Sequence, residues 1–152
     1  MDMLSVIILG AICGLVGAFA MNLFMRSVSR AFDRRADMVR ALGSFFTGKL
    51  ENAAMVGTLI HSIAGVVFGM IYFAIMNVMG ALTFPYALFL GLGFGFFHGL
   101  VTSYILMFYA SERHPLEDYR KATMQEGVLH LIGHIIFGGV AGLLGGLIAM
   151  GL

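Results

Sequence analysis

Apolar residues run almost unbroken along this chain, and its polar positions gather in two intervals between the runs. The first run, Leu4 to Met25, holds 22 residues without a charge, enough to cross a hydrocarbon core at about 1.5 Å per helical residue. No basic stretch precedes it and Asp2 is the only charge before it, so it reads as a retained span and not a cleaved leader. Asn52 to Ala110 contains no Asp, Glu, Lys or Arg over 59 residues, which is the length of two spans and a tight connection. Gly80, Thr83 and Pro85 punctuate that run, and Pro85 suits the first turn of a new helix. A last uncharged run begins at Gly127. The pattern predicts one all-α membrane domain over 1–152, a four-helix transmembrane bundle with spans at about 4–25, 53–79, 85–110 and 127–151.

Composition agrees: 60% of the residues are apolar and 11% charged, where a soluble domain carries about a quarter charged. The single cysteine, Cys13, excludes a disulfide framework and a Cys-rich metal site. Net charge is +1, but the distribution of charge says more. All nine basic residues fall between the first and second spans (Arg26, Arg30, Arg34, Arg35, Arg40, Lys49) or between the third and fourth (Arg113, Arg120, Lys121). By the positive-inside rule both loops face the cytoplasm and both termini lie outside it. In the first loop Val28, Phe32, Val39, Leu42 and Phe46 recur at near-helical spacing among the arginines. That predicts a short amphipathic helix on the inner membrane surface, with anionic lipid headgroups as its partners. Nothing in the chain calls for a nucleic-acid partner.

Every span carries small residues four apart: Gly10, Gly14 and Ala18; Gly57, Gly65 and Gly69; Gly91, Gly95 and Gly99; Gly138, Gly142 and Gly146. Small residues let helix backbones meet where lipid supplies no hydrophobic force between helices. The spacing argues for a close bundle and equally permits a homo-oligomer or a place in a larger membrane complex. The nine aromatic residues from Phe84 to Tyr109, at and within the third span, read as lipid contact and packing, not as a cofactor box.

Chemistry is suggested by histidine. Ionisable residues inside a span are costly and normally face the bundle interior. His61 lies on the second span, His98 on the third, and His130 with His134 on the fourth. Counting helical rise from the nearest charge puts them about 15, 20, 6 and 12 Å deep, respectively. Glu126, His130, His134 and Gly138 share one side of the fourth span, and Gly57, His61, Gly65 and Gly69 one side of the second. His98 is flanked by Gly95 and Gly99. Imidazoles converging from three helices are the ligand type for a transition metal ion or a b-type haem, so His61, His98 and His134 are the candidate cofactor ligands. His130 and Glu126 are the further metal-ligand or proton-carrying candidates. Asn22, Ser62, Thr102, Ser103, Tyr104, Glu112 and His114 could support them, although His114, beside Pro115, reads as an ordinary surface residue and Glu126 equally as a first-turn carboxylate at a helix start. Zinc-protease and di-iron spacings are absent from the sequence.

Three stretches carry a likeness: Asp37-Met38-Val39-Arg40-Ala41-Leu42-Gly43-Ser44, Leu59-Ile60-His61 with Gly65-Val66-Val67-Phe68, and Leu131-Ile132-Gly133-His134 with Gly138. Together they resemble a group of small four-span bacterial membrane proteins classed as a domain of unknown function. The resemblance implies a bacterial inner membrane and makes His61 and His134 the recurrent polar positions, but it implies no activity. Three functions therefore stand open: a metal or haem protein in electron transfer or metal handling, an accessory subunit whose histidines only join helices, and a proton or small-solute pathway.

Overall fold

Backbone polar groups in a long apolar run have no water to turn to and must bond within their own segment, so each run becomes a helix. The structure, a computed structural model, describes residues 1–31, 37–121 and 123–151; Phe32, Arg34 and Arg35 of the first basic loop lie outside them. The described helices are α1 (Met3–Ala31), α2 (Met38–Thr47), α3 (Ala53–Val78), α4 (Tyr86–Arg113), α5 (Glu117–Arg120) and α6 (Met124–Ala149). α1, α3, α4 and α6 are long and apolar enough to cross a membrane.

Local chemistry sets the ends. Asp2 starts α1, its carboxylate accepting from the Ser5 N–H at 2.8 Å and the Ser5 hydroxyl at 3.0 Å. Those bonds hold its pKa below the usual carboxylate value. α3 ends in a Schellman turn: Gly80, at φ +66°, donates to the Asn77 carbonyl and Ala81 to that of Met76. α1 runs on past the expected boundary through Arg26 and Arg30, since arginine favours helix and no breaker intervenes.

α1 packs against α3 and α6, and α6 against α4, while α3 and α4 have little direct backbone contact. The bundle is therefore a ring with three closed seams and one loose one. Glycine makes the closure. A methyl carbon on Gly10 would fall 2.7 Å from the Gly69 carbonyl oxygen, and one on Gly91 or Gly138 would overlap the other's carbonyl. At the α1–α6 seam the Phe137 ring and the Met21 and Met25 side chains fill the notches at Gly17 and Gly133. The α1–α3 and α4–α6 hairpins are built alike, each with a His-x3-Gly-x3-Gly row on its second span: His61, Gly65 and Gly69, then His134, Gly138 and Gly142. The exterior carries the large apolar side chains, among them Leu4, Phe19, Leu59, Phe89 and Phe97.

α2 departs from a helix merely resting at a surface. Asp37 caps it through the Arg40 N–H at 3.1 Å, and Gly48 ends it at φ +70°. Val39, Gly43 and Ser44 are buried, and a methyl at Gly43 or Gly57 would overlap the carbonyl of Ala53 or Val39. α2 is thus bolted to the start of α3 by backbone contact, a pairing the spacing of its apolar residues does not reveal.

Candidate functional site

Between α3 and α4, whose backbones have little contact and which meet through side chains at Phe68, Tyr72, Phe94 and His98, the bundle holds a cavity of about 380 Å³. α1 and α6 form its back wall through Met21, Asn22, Met25 and Phe137; α2 covers one end through Met38, Val39 and Leu42. All four intramembrane histidines line it, with Thr102 and His114. Among the described residues no Asp, Glu, Lys or Arg does. The size lies in the range of small-molecule pockets.

Three of the imidazoles, those of α4 and α6, pack against one another, and His61 of α3 lines the same cavity. Ring centroids of His98 and His134 lie 4.5 Å apart, and those of His130 and His134 4.8 Å. Glycine permits this: Gly99 leaves space that the His134 side chain occupies, and Gly95 lets α4 approach the His134 backbone. His98 stacks on Phe68 at 3.7 Å with planes inclined 25°. Its Nδ1 is 2.9 Å from the Tyr72 hydroxyl, so a hydrogen bond ties α4 to α3 at the cavity floor.

Hydrogen-bond accounting assigns one tautomer. The Thr102 hydroxyl donates to the His98 carbonyl at 2.8 Å. Its only hydrogen being committed, it must accept from His134 Nε2–H at 3.1 Å. His134 Nδ1 then carries a lone pair. His61 Nε2 and His130 Nδ1 are buried without a hydrogen-bond partner, and the His130 side chain belongs to a residue only 5% exposed. Unpaired buried polar atoms cost about 1–3 kcal/mol each, which makes these two nitrogens the least satisfied groups of the chamber.

Other candidates are placed elsewhere. Glu126 does not line the cavity; with Thr123 it forms a capping box, its carboxylate accepting from the Thr123 N–H. Glu126→Ala should lower stability by about 0.5–2 kcal/mol in thermal unfolding and leave anything bound in the chamber undisturbed. Ser103 is fully buried on the α6-facing side of α4 with its hydroxyl unpaired, and Tyr104 packs beside Gly127. Of the suggested supporting groups, Asn22, Thr102 and His114 reach the chamber, and Ser62 and Glu112 do not line it.

His114 corrects the reading of it as a surface residue, for it is 1% exposed. Pro115 forces the preceding residue into extended backbone, and His114 ends α4 at φ −63°, ψ 133°. The turn carries its ring onto α2. Nε2–H donates to the Ala41 carbonyl at 3.0 Å, and Nδ1 accepts from the Leu116 N–H at 3.0 Å. Sequence offered no signal for this contact, since Ala41 lies 73 positions away.

Among the described residues no three His, Cys, Asp or Glu side chains are disposed to hold a metal ion. A haem between two axial imidazoles needs an iron–nitrogen bond of about 2 Å on each side, and rings packed at 4.5 Å leave no room for the macrocycle between them. Compared with family models, with curated proteins and with solved structures, the chain finds no match.

Proposed function

We propose that this chain is a membrane-embedded small-molecule binding protein whose ligand lies among His61, His98, His130 and His134. The observation that carries the reading is the chamber itself: apolar walls, five imidazoles with four of them inside the spans, and, among the described residues, no formal charge in the lining and two buried nitrogens without partners. A neutral imidazole offers one donor and one acceptor. A ligand arriving from lipid gains little from apolar walls, because it leaves an equally apolar medium. Its polar head, however, leaves hydrocarbon, where hydrogen bonds are unmet, for nitrogens that lack partners too, so both sides gain. The positive-inside rule sets the basic α2 and α5 end at the cytoplasm, beside anionic headgroups, and the termini opposite. The chamber then belongs to the inner half of a bacterial inner membrane.

Ala64 lines the cavity, so Ala64→Phe takes up its space while keeping all the histidines in the chain. The test is extraction and mass spectrometry of small molecules that copurify in mild detergent. A species held by the wild-type protein and reduced at least tenfold in folded Ala64→Phe is the expected result. Identical extracts from the two proteins overturn the proposal.

The unpaired His61 Nε2 and His130 Nδ1 also favour a second reading, a transition metal ion held by imidazoles. Thr102 beside His134 and Tyr72 beside His98 are the kind of hydroxyl partner that orients a ligating ring. Binding would require the rings to turn toward a common point. Elemental analysis of the same preparation decides it: about one ion per chain, lost in the His61→Ala, His134→Ala double variant, supports the metal, and metal-free protein removes it.

A further inference from the structure

We infer that the ligand is a neutral molecule with a flat, oxygen-bearing ring and an apolar tail, the chemistry of a membrane quinone, and that it enters sideways from the bilayer between α3 and α4. This rests on the binding reading above and adds the class of ligand and its route.

The route follows from the ring of helices. Three seams are closed and the fourth is not. Some side chains that line the chamber are also open to the outside, and these mark its rim: Phe46 on α2 is 66% exposed, Leu106 and Tyr109 on α4 are 40% and 50%. α2 is held against the end of α4 by the His114 bond to Ala41 and by Phe45 against Tyr109, ring centroids 5.4 Å apart, so the exposed lining opens to its side. Access is therefore lateral, through a rim of apolar and aromatic side chains.

The class follows from what the chamber offers a guest. A lining without formal charge gives no counter-ion to an ionised head. The Phe68 and His98 rings, already stacked, form a flat platform at the floor. In the tautomer whose Nδ1 accepts from the Tyr72 hydroxyl, His98 carries its proton on Nε2 and can donate to a carbonyl oxygen. His130 Nδ1, unpaired and deeply buried, and His61 Nε2 lie in rings bordering the same space. In the tautomer that places a proton on either nitrogen, that ring becomes a second donor. Two acceptor oxygens on a planar ring meet this set, and a tail runs out past Leu106 toward the rim.

The test uses the whole protein in lipid nanodiscs, titrated with a benzoquinone bearing one isoprene unit and followed by quenching of tyrosine fluorescence. The same tail on a hydrocarbon ring without oxygens is the comparison probe. Saturable quinone binding, at least tenfold weaker in both His61→Leu and Ala64→Phe and absent for the oxygen-free probe, is expected. Gly93→Ala, at a position with nothing within 4 Å among the described residues, should bind as the wild type does. Equal affinity in the wild type and His61→Leu, equal affinity for the oxygen-free probe, or no saturable binding overturns the quinone assignment. If a copurified species still disappears in Ala64→Phe while the quinone fails to bind, the ligand class falls and the binding reading stands. If neither is seen, both fall.

Discussion

Replacing Gly138 with alanine should cost the bundle about 1–3 kcal/mol, the usual range for overfilling a packed interior, and replacing it with isoleucine should leave no folded protein to recover. The added carbon would overlap the Gly91 carbonyl on the facing helix. What must yield is backbone on both sides, not the end of a flexible side chain. The same holds for Gly91→Ala, and because the two glycines touch each other the paired substitutions should not add. Gly93 sits two positions further along α4 with open space around it, so Gly93→Ala should be neutral or stabilise by about 0.5–1 kcal/mol through helix propensity. Thermal unfolding in detergent by circular dichroism, with size-exclusion profiles to score folded protein, measures all of these. Equal loss at positions 93 and 138 would show that glycine matters here for something other than close approach.

The second large effect is expected at a residue far from any glycine seam. His114→Ala takes from the Ala41 carbonyl one of two donors, the Ser44 hydroxyl at 3.2 Å remaining, and strips the Leu116 N–H of its acceptor, and removes a fully buried ring packed against Phe45 and Tyr119. Unsatisfied buried groups at about 1–3 kcal/mol each and the lost packing give a total of about 2–4 kcal/mol in the same unfolding measurement. The substitution also releases α2 from the end of α4. A cysteine at position 42, on the chamber side of α2, should then react faster with a soluble maleimide than it does with His114 intact. If His114→Ala unfolds no earlier and position 42 reacts no faster, the side chain is not the fastener described here.

The spans were legible because long uncharged runs admit few other structures, and their ends fell within a few residues of the helices observed, apart from the overrun of α1 to Ala31. Convergence of the histidines was legible too, since His61, His130 and His134 share their helix faces with the glycines that pack. The docking of α2 on α3 was not: it depends on Gly43 and Gly57 facing one another, and one-dimensional spacing gives no register between separate helices. The chamber was hidden for a related reason. Glycines four apart in every span say nothing of which pair is left apart. Glu126 was ambiguous because a carboxylate three residues after Thr123 suits a cap as well as a ligand row, and local hydrogen bonding decided for the cap.

The loose seam has a mechanical consequence. Where three joints of a ring are backbone against backbone or side chain into notch, swelling or squeezing of the whole ring must be taken up at the fourth. Lateral pressure from the acyl chains therefore acts chiefly on the α3–α4 joint, and on the proposed lateral route membranes of different chain length or unsaturation would throttle ligand entry to different degrees.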